Sequence, residues 1–360
     1  MDYIPPTSHV TLLATLRRER LLPVAGEVMV QLHQRVEATD VVARAYIPDG
    51  HQLVDVARQL GIPGEKADRL LVKHDGEAVK KGEPIAVRKT ALGLARKEVR
   101  SPVDGRLVVA GEGKALLAAM SRPFELRAGI PGQIASVTPA RGAAIETTGA
   151  LLEGAWGNGH QDYGPMAVVG SGPKDALLSE QLDMGLRGNI LAVGTLQDDA
   201  AFKQLAEVRI RGLIVGSLKS HLLSAVQRLR IPLLVVEGFG TQGFSQPAYE
   251  LLTSNSGRDV WLSARPREWH TRERPEVIIP LPSPSAAPPA PAEGVALEVG
   301  QRVRIVRGGL ETGRTGTILA LTDRAVPTPS GSRTRVATVD IGPPDGAPLK
   351  VPFANLETLE

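Results

Sequence analysis

The chain has no cysteine among its 360 residues, and this absence excludes several kinds of chemistry at once. Disulfides, thiolate metal ligands, iron–sulfur clusters and thiol nucleophiles all require a cysteine. The seven histidines are dispersed, and no two of them have the spacing of four residues that places two imidazoles on one face of a helix. We therefore expect neither a metal site nor a bound cofactor.

Aromatic residues make up only 3% of the chain, which argues against a broad surface for stacking nucleic-acid bases. Long apolar runs are also missing, since none approaches the roughly 20 residues that span a bilayer. The first residues, 1–6, have neither the basic start nor the apolar segment of a secretory signal. We expect a cytoplasmic protein without membrane insertion.

Charge of one sign is not in large excess, because 42 basic and 39 acidic residues give a net charge of +3. The two signs are interspersed along most of the chain, so the sequence has no tail that binds polyanions. A basic patch can still form in space from residues that are scattered in sequence. Weak attraction to nucleic acid or to acidic surfaces therefore stays open.

The length exceeds one ordinary core of roughly 100 to 200 residues and predicts several domains. Residues 8–160 read as short strands between glycine and proline turns, with Val28, Leu107 and Ile134 near the starts of three of them. Residues 52–61 have helical periodicity and end at Gly61. We predict a β-rich domain with a short helical insert.

Between residues 165 and 279, short apolar runs alternate with segments of helical periodicity. The runs are 166–169, 190–193, 213–215, 233–236 and 260–262, and the helical segments are 174–184, 198–208, 220–229 and 247–253. Buried strands separated by helices predict a parallel sheet that is covered on both faces. We expect a five-stranded, three-layer α/β domain of the Rossmann-like or flavodoxin-like kind.

Residues 280–294 are rich in proline and alanine and cannot bury a core, so they predict an extended linker. The remainder, 295–360, shows strand alternation in residues 301–306 and again around 336–341. This pattern is adequate for a small β-barrel. The fold class that follows is a multidomain chain with one parallel α/β domain between two all-β domains.

Two short stretches within residues 70–110 form a pattern of their own. They are Gly76, Val79, Gly82, Glu83 and Ile85, and then Glu98, Ser101, Pro102 and Gly105 with an apolar strand after it. The region resembles the barrel-sandwich hybrid fold of biotinyl and lipoyl carrier domains, in which a lysine stands at the tip of the hairpin between the two halves. Here Leu92, Gly93 and Leu94 lie near the tip, and Lys89 and Lys97 only flank it. The resemblance implies a scaffold without the carrier lysine.

Glycine turns separate two short apolar strands at the start of the C-terminal region. The residues are Gly300, Val303, Ile305, Gly308, Gly313, Gly316 and Ile318. This pattern resembles a KOW module, the SH3-like barrel of NusG-type transcription elongation factors and several ribosomal proteins, and the resemblance implies contact with RNA, the ribosome or RNA polymerase. The candidate contacts are Arg302, Arg304, Arg307, Arg314, Arg333 and Arg335. Acidic residues dilute this patch, so a protein-binding barrel is an equally good interpretation.

The α/β domain has a glycine at the carboxyl end of four strands, and ligands bind at that edge of an open parallel sheet. The candidate ligand-binding residues are Gly170, Ser171, Gly172, Gly194, Thr195, Gly216, Ser217, Glu237 and Gly238. Glycine also permits tight turns between strand and helix. Neither a Walker A lysine pattern nor a complete G-x-G-x-x-G is present, so nothing specifies a nucleotide.

Without a catalytic constellation, the sequence favours a non-enzymatic adaptor or scaffold. In this hypothesis the KOW-like barrel contacts a transcription or translation component, either protein or ribonucleoprotein, with RNA as a candidate ligand. The linker would let the barrel search for that partner. The alternative is a small-ligand or phosphate-binding protein, enzymes included, that uses the carboxyl edge of the α/β sheet.

Overall fold

A computed structural model describes residues 7–8, 10–89, 96–119, 123–197, 204–205, 207–266, 274–282, 288–291, 296–306, 311, 314–342 and 347–359. The fold is mostly β, with 48% strand and 13% helix, and it contains several sheets. Within the described residues, no helix has both the length and the apolar character needed to cross a membrane.

The N-terminal half consists of short strands and two short helices. The strands are β1 (Thr7–Ser8), β2 (Val10–Leu21), β3 (Glu27–Val28), β4 (Arg35–Val36), β5 (Val41–Ala45), β6 (Gly50–Asp55), β7 (Ala78–Val79), β8 (Pro84–Lys89), β9 (Arg96–Arg100), β10 (Gly105–Gly111), β11 (Lys114–Ala119), β12 (Phe124–Arg127), β13 (Gly132–Thr138) and β14 (Gly142–Glu153), and the helices are α1 (Val56–Leu60) and α2 (Gly64–Asp68).

Strands β6, β11, β10 and β7 form one four-stranded sheet, and β8 pairs with β9 in a separate hairpin. Their apolar side chains, with those of α1 and α2, enclose one core. The predicted helix 52–61 is half strand, because Gln52 and Leu53 pair with β11. Its second half is α1, which ends as predicted at Gly61 in the left-handed conformation, φ 68°. We call residues 50–119 the hairpin module.

The central part contains the remaining large strands. They are β15 (Trp156–Gly157), β16 (Gln161–Val169), β17 (Ile190–Leu196), β18 (Gly212–Leu218), β19 (Leu233–Phe239), β20 (Asp259–Ser263) and β21 (Glu276–Pro280), with α3 (Leu223–Val226), α4 (Gln246–Ser254) and 3₁₀ turns at Ser179–Gln181, Met184–Leu186 and Ser220–Leu222.

Strands β16, β17, β18 and β19 run parallel and neighbour one another in chain order. Every residue of β17 and β18 is buried, as expected for strands covered on both faces. One face packs against α4, and the other packs against the segments that connect the strands. The predicted helix 174–184 is not α-helical: it contains the 3₁₀ turn Ser179–Gln181 and ends at the start of another, Met184–Leu186. In the second predicted helix, 198–208, residues 198–203 and 206 lie outside the described residues.

The fifth predicted strand corrects the expectation of an all-parallel sheet, because β20 runs antiparallel to β16. β17 pairs only with the second half of β16, Met166–Val169, which leaves the first half without a neighbour on one side. The chain after α4 enters halfway along β16, where Gly257 donates to the carbonyl of Met166 (2.7 Å). It then pairs antiparallel with the first half of β16, Gln161–Pro165, along the edge of β16 that faces away from β17.

The large sheet does not end with the α/β strands. β20 pairs with β21, β21 with β14, and β14 with both β13 and β2. The boundary predicted between residues 160 and 165 falls inside β16, and strands on both sides of it belong to one 11-stranded sheet.

The C-terminal module, residues 296–359, contains β22 (Arg302–Ile305), β23 (Thr315–Leu321), β24 (Val326–Pro327), β25 (Arg333–Thr334), β26 (Val336–Asp340), β27 (Leu349–Pro352), a 3₁₀ turn at Phe353–Asn355 and β28 (Leu356–Leu359). β28, β22, β23, β26 and β27 form a sheet around a core of their own. The N-terminal strand β1 extends this sheet by pairing parallel to β28.

The proline-rich segment is bound along part of its length. The backbone N–H of Leu281 donates to the carbonyl of Thr148 (3.0 Å). Farther along, the hydroxyl of Thr15 donates to the carbonyl of Pro288 (2.7 Å), and its N–H donates to that of Pro289 (3.3 Å). The described parts of the segment therefore lie along β14 and β2.

Candidate functional site

The parallel strands bring the predicted ligand-binding residues to one edge of the sheet, but the chain itself fills that edge. The carboxylate of Asp175 accepts hydrogen bonds from the N–H groups of Ser171 (2.7 Å) and Gly172 (3.0 Å). Free N–H groups are what an anion would bind at such a turn. Here an internal carboxylate already takes that place.

Two of the predicted glycines lie under the backbone of crossing segments. A Cβ at Gly194 would be 2.5 Å from the carbonyl oxygen of Pro173, and one at Gly216 would be 2.4 Å from the backbone of Gly243 and Phe244. The segments 173–175 and 243–244 thus pass directly over the ends of β17 and β18. Glycine is required here because the backbones approach so closely.

The hydroxyl-bearing residues of this edge are enclosed as well. Thr195 is fully buried, and Ser217 is 2% exposed. The hydroxyl of Thr195 accepts a hydrogen bond from the amide of Gln197 (3.0 Å), and its backbone N–H donates to the carbonyl of Asp175 (2.9 Å). Gly170, with φ 95°, serves the turn that follows β16, whereas Gly238, with φ 118°, lies within β19 next to a shift in its pairing register with β18.

Glu237, the predicted carboxylate of the edge, is buried against the C-terminal module. One carboxylate oxygen accepts a hydrogen bond from the backbone N–H of Ser245 (2.8 Å). The other pairs with Nη2 of Arg304 at 2.8 Å. The structure therefore joins one residue from each of the two predicted sites.

Arg304 does not face solvent, because its side chain is only 2% exposed. Besides Glu237, its guanidinium donates to the carbonyl of Val236 (3.3 Å) and lies 3.6 Å from the carboxylate of Glu357. Its Nε has no hydrogen-bond partner. In this arrangement Arg304 holds the module against the sheet and is not available to a phosphate.

Further charged residues continue this contact. The second carboxylate oxygen of Glu357 pairs with Arg274, whose Nε lies 3.9 Å from a carboxylate oxygen of Glu153. We call Glu153, Arg274, Glu357, Arg304 and Glu237 the charge network. Its members lie at the end of β14, two residues before β21, and within β28, β22 and β19, so the network connects the C-terminal module to the large sheet.

Burial makes this network sensitive to the loss of any one member. Two charges removed from water lose hydration, and their attraction offsets that cost only when the remaining polar atoms are also satisfied. Removing one partner of such a pair typically costs about 3–5 kcal/mol, since the other charge stays buried without compensation. We therefore treat the network as the element that fixes the position of the C-terminal module.

The other predicted arginines of the module have different surroundings. Arg302 and Arg333 are exposed, and Arg333 donates to the carbonyl of Ala325 (3.3 Å). Arg314 pairs with Glu311 (2.7 Å), and the guanidinium of Arg335 lies 5.2 Å from the ring centre of Phe353. Arg307 lies outside the described residues.

A small cleft, open to solvent, lies beside Arg274. Its lining residues are Arg18, Glu19, Arg20, Ala128, Ile130, Gln161, Trp261, Ser263, Arg265, Arg274 and Glu276. Arg18 makes a bidentate pair with Glu276 (2.7 and 2.6 Å), and the guanidinium of Arg20 lies 4.7 Å from the ring centre of Trp261. Within the cleft, Glu276 therefore compensates one of the four lining arginines, Arg18.

Sequence reasoning missed three members of the network, Glu153, Arg274 and Glu357. The signal for Glu357 was an acidic residue within the otherwise apolar and hydroxyl-bearing strand Leu356–Leu359. Among the described residues, no three His, Asp or Glu side chains lie close enough together to hold a metal ion. Comparisons with models of protein families and with curated proteins find no match for this chain.

Proposed function

We propose that the protein is a non-enzymatic adaptor or scaffold in which the C-terminal module contacts a transcription or translation component, protein or ribonucleoprotein. The observation that carries this proposal is the filled edge of the parallel sheet. Gly194 and Gly216 make room for the chain's own backbone, and Asp175 occupies the turn amides, so the alternative of a small-ligand site there has less support.

In this proposal the hairpin module is a barrel-sandwich-like scaffold, the parallel strands are a Rossmann-like or flavodoxin-like layer, and the C-terminal module is an SH3-like barrel of the KOW kind. The β-rich fold with several sheets is compatible with these assignments. The charge network argues that the C-terminal module is docked on the large sheet and does not search for its partner on a free linker. We place the protein in the cytoplasm.

The surface that we assign to the partner contains Arg302 and Arg333, the two exposed arginines among those predicted contacts that the structure describes. Arg304 and Glu357 are instead buried at the contact with the large sheet, where they anchor the module. In this proposal Arg302 and Arg333 contact the partner, whereas Arg304 holds the C-terminal module on the large sheet of the same chain.

The test is co-sedimentation of the purified protein with ribosomes and with RNA polymerase from its source, together with RNA binding by fluorescence anisotropy. We expect micromolar binding to at least one of them and a loss of about fivefold or more in the variant Arg302→Glu/Arg333→Glu, because each substitution reverses an exposed charge. The matched control is Lys66→Glu/Arg69→Glu in the hairpin module, which should bind as the wild type does. Absence of binding to all three probes, or equal losses in both variants, would refute the proposal.

A further inference from the structure

The hairpin of β8 and β9 concentrates positive charge. Its two strands carry five basic side chains, all exposed, and one acidic side chain; they are Arg88, Lys89, Arg96, Lys97, Arg100 and Glu98. Five positive charges and one negative charge give these 11 residues a net charge of +4, whereas the entire chain has +3. The six residues between the strands, 90–95, carry no charge.

The pairing of the two strands places like charges directly opposite each other on two consecutive rungs. Arg88 is paired with Lys97, and Lys89 is paired with Arg96. Side chains at such positions have Cβ atoms about 4.5–5.5 Å apart, and like charges there destabilise a hairpin. An anion that bound between these side chains would relieve the repulsion.

The charges lie on both faces of the hairpin, because opposite residues share a face and successive residues alternate. Arg88 and Lys97 lie on the face that continues from the buried pair Ala86 and Val99. Arg88 donates to the carbonyl of Leu60 (3.0 Å), a neutral group that orients the guanidinium and leaves its charge uncompensated. This face therefore carries +2.

The other face carries Lys89, Arg96, Arg100 and Glu98, and its net charge is also +2. The carboxylate of Glu98 pairs with Arg96 and with Arg100, each at 2.6 Å, and so holds both guanidinium groups in place. The side-chain ammonium groups of Lys89 and Lys97 form no hydrogen bond or ion pair with any described residue. Each face of the hairpin therefore has a net positive charge that a bound anion can neutralise.

A flat partner, such as an anionic membrane or an acidic protein surface, would contact one face and leave the other unused. A groove with phosphates on both walls contacts both. The major groove of B-form DNA is about 12 Å wide and admits a two-stranded β-ribbon, whereas the major groove of A-form RNA is too narrow. Residues 84–100 contain no aromatic residue that could stack on the bases of a single strand.

We propose that the β8–β9 hairpin binds double-helical DNA through its phosphates, as a ribbon in the major groove and without sequence selection. This surface is separate from Arg302 and Arg333, so the proposal goes beyond the adaptor contact and can succeed or fail independently of it.

The test uses the full chain and a fluorescently labelled duplex of about 24 base pairs and mixed sequence, with anisotropy measured at about 50 and 200 mM salt. We expect a dissociation constant in the micromolar range at low salt that weakens steeply as salt rises. The variant Lys89→Gln/Arg96→Gln/Lys97→Gln should weaken binding at least tenfold and lower the slope of log K against log salt by about 3, near 0.9 for each lost phosphate contact. Its melting temperature should be unchanged or higher, because the opposed like charges are gone.

The matched control, Lys66→Gln/Arg69→Gln/Lys114→Gln, removes three exposed basic residues elsewhere in the hairpin module and should keep the wild-type affinity within about twofold. The proposal is overturned if the wild type does not bind the duplex at low salt, or if the hairpin variant binds it as the wild type does. It is also overturned if a single strand of the same length binds as tightly as the duplex. A loss confined to phosphatidylserine vesicles or polyglutamate would assign the hairpin to a membrane or an acidic protein instead.

Discussion

The guanidinium of Arg304 and the carboxylate of Glu237 form an ion pair at 2.8 Å between two residues that are 67 positions apart in the chain. Arg304 belongs to the C-terminal module, and Glu237 lies near the end of β19 in the large sheet. Because both side chains are buried, the pair determines where the module lies and which of its faces remains open.

Removal of the Arg304 guanidinium should destabilise the protein strongly. Arg304→Met keeps most of the side-chain volume but leaves Glu237 and Glu357 buried without their common partner. We expect the free energy of unfolding to fall by about 3–5 kcal/mol. Urea denaturation measures this change. Arg302→Met, at an exposed position two residues earlier, is the control and should stay within about 0.5 kcal/mol of the wild type; equal effects at both positions would contradict a buried role for Arg304.

The glycines at the sheet edge should not tolerate a side chain. In Gly216→Ala the new Cβ would lie 2.4 Å from the backbone of Gly243 and Phe244. A backbone segment can move away only at a cost in free energy, because its own hydrogen bonds and packing must shift with it. We expect a loss of about 1–3 kcal/mol in the free energy of unfolding. Gly50→Ala is the matched control, since no atom lies within 4 Å of that Cβ. A Gly216 variant as stable as the control would show that the edge is open.

Acid should weaken the hairpin module through a three-residue ion cluster. The ammonium of Lys73 lies 2.8 Å from the carboxylates of both Glu77 and Glu83, and its hydrogen bonds hold the pKa of each carboxyl below the ordinary value of 4.5. Folding therefore favours the ionised carboxylates, and their stabilising contribution is present above pH 4.5 and is lost as the pH falls through the lowered pKa values.

This pH effect can be measured as the urea midpoint of the wild type and of Lys73→Met between about pH 7 and pH 3. The difference between the two proteins should shrink as the pH falls below 4.5, because protonated carboxyls no longer need the ammonium. Lys66→Met serves as the control for a lysine in the same module. A difference that stays constant down to the lowest pH would exclude the ion cluster as its origin.

Local patterns predicted those elements that depend on residues near each other in the chain. The glycine at position 61 indicated the end of α1, and the apolar runs indicated β17, β18 and β19. The direction of β20 was wrong in the sequence-based prediction, because it depends on where the chain after α4 meets β16 and not on any residue within β20. Long-range pairing of this kind leaves no periodic signal.

The prediction for Arg304 shows why the site was harder to predict from the sequence than the fold was. Val303 and Ile305 point into the core of the module, so strand alternation puts Arg304 on its outer face, where a contact residue is expected. That outer face is covered by another part of the chain, which alternation within one strand does not reveal. The glycines of the sheet edge were likewise identified, but the segments that cross them come from residues 173–175 and 243–244.

The central claim is that the C-terminal module is docked on the large sheet through the charge network and is not loosely tethered. Because the chain has no cysteine, Gln227→Cys/Lys350→Cys introduces two unique, exposed attachment points for nitroxide labels. Double electron–electron resonance between these labels measures the distribution of distances between the sheet and the module. A single narrow distribution that broadens when Arg304→Met is added is the predicted result, and a broad distribution already present with Arg304 intact would contradict the account.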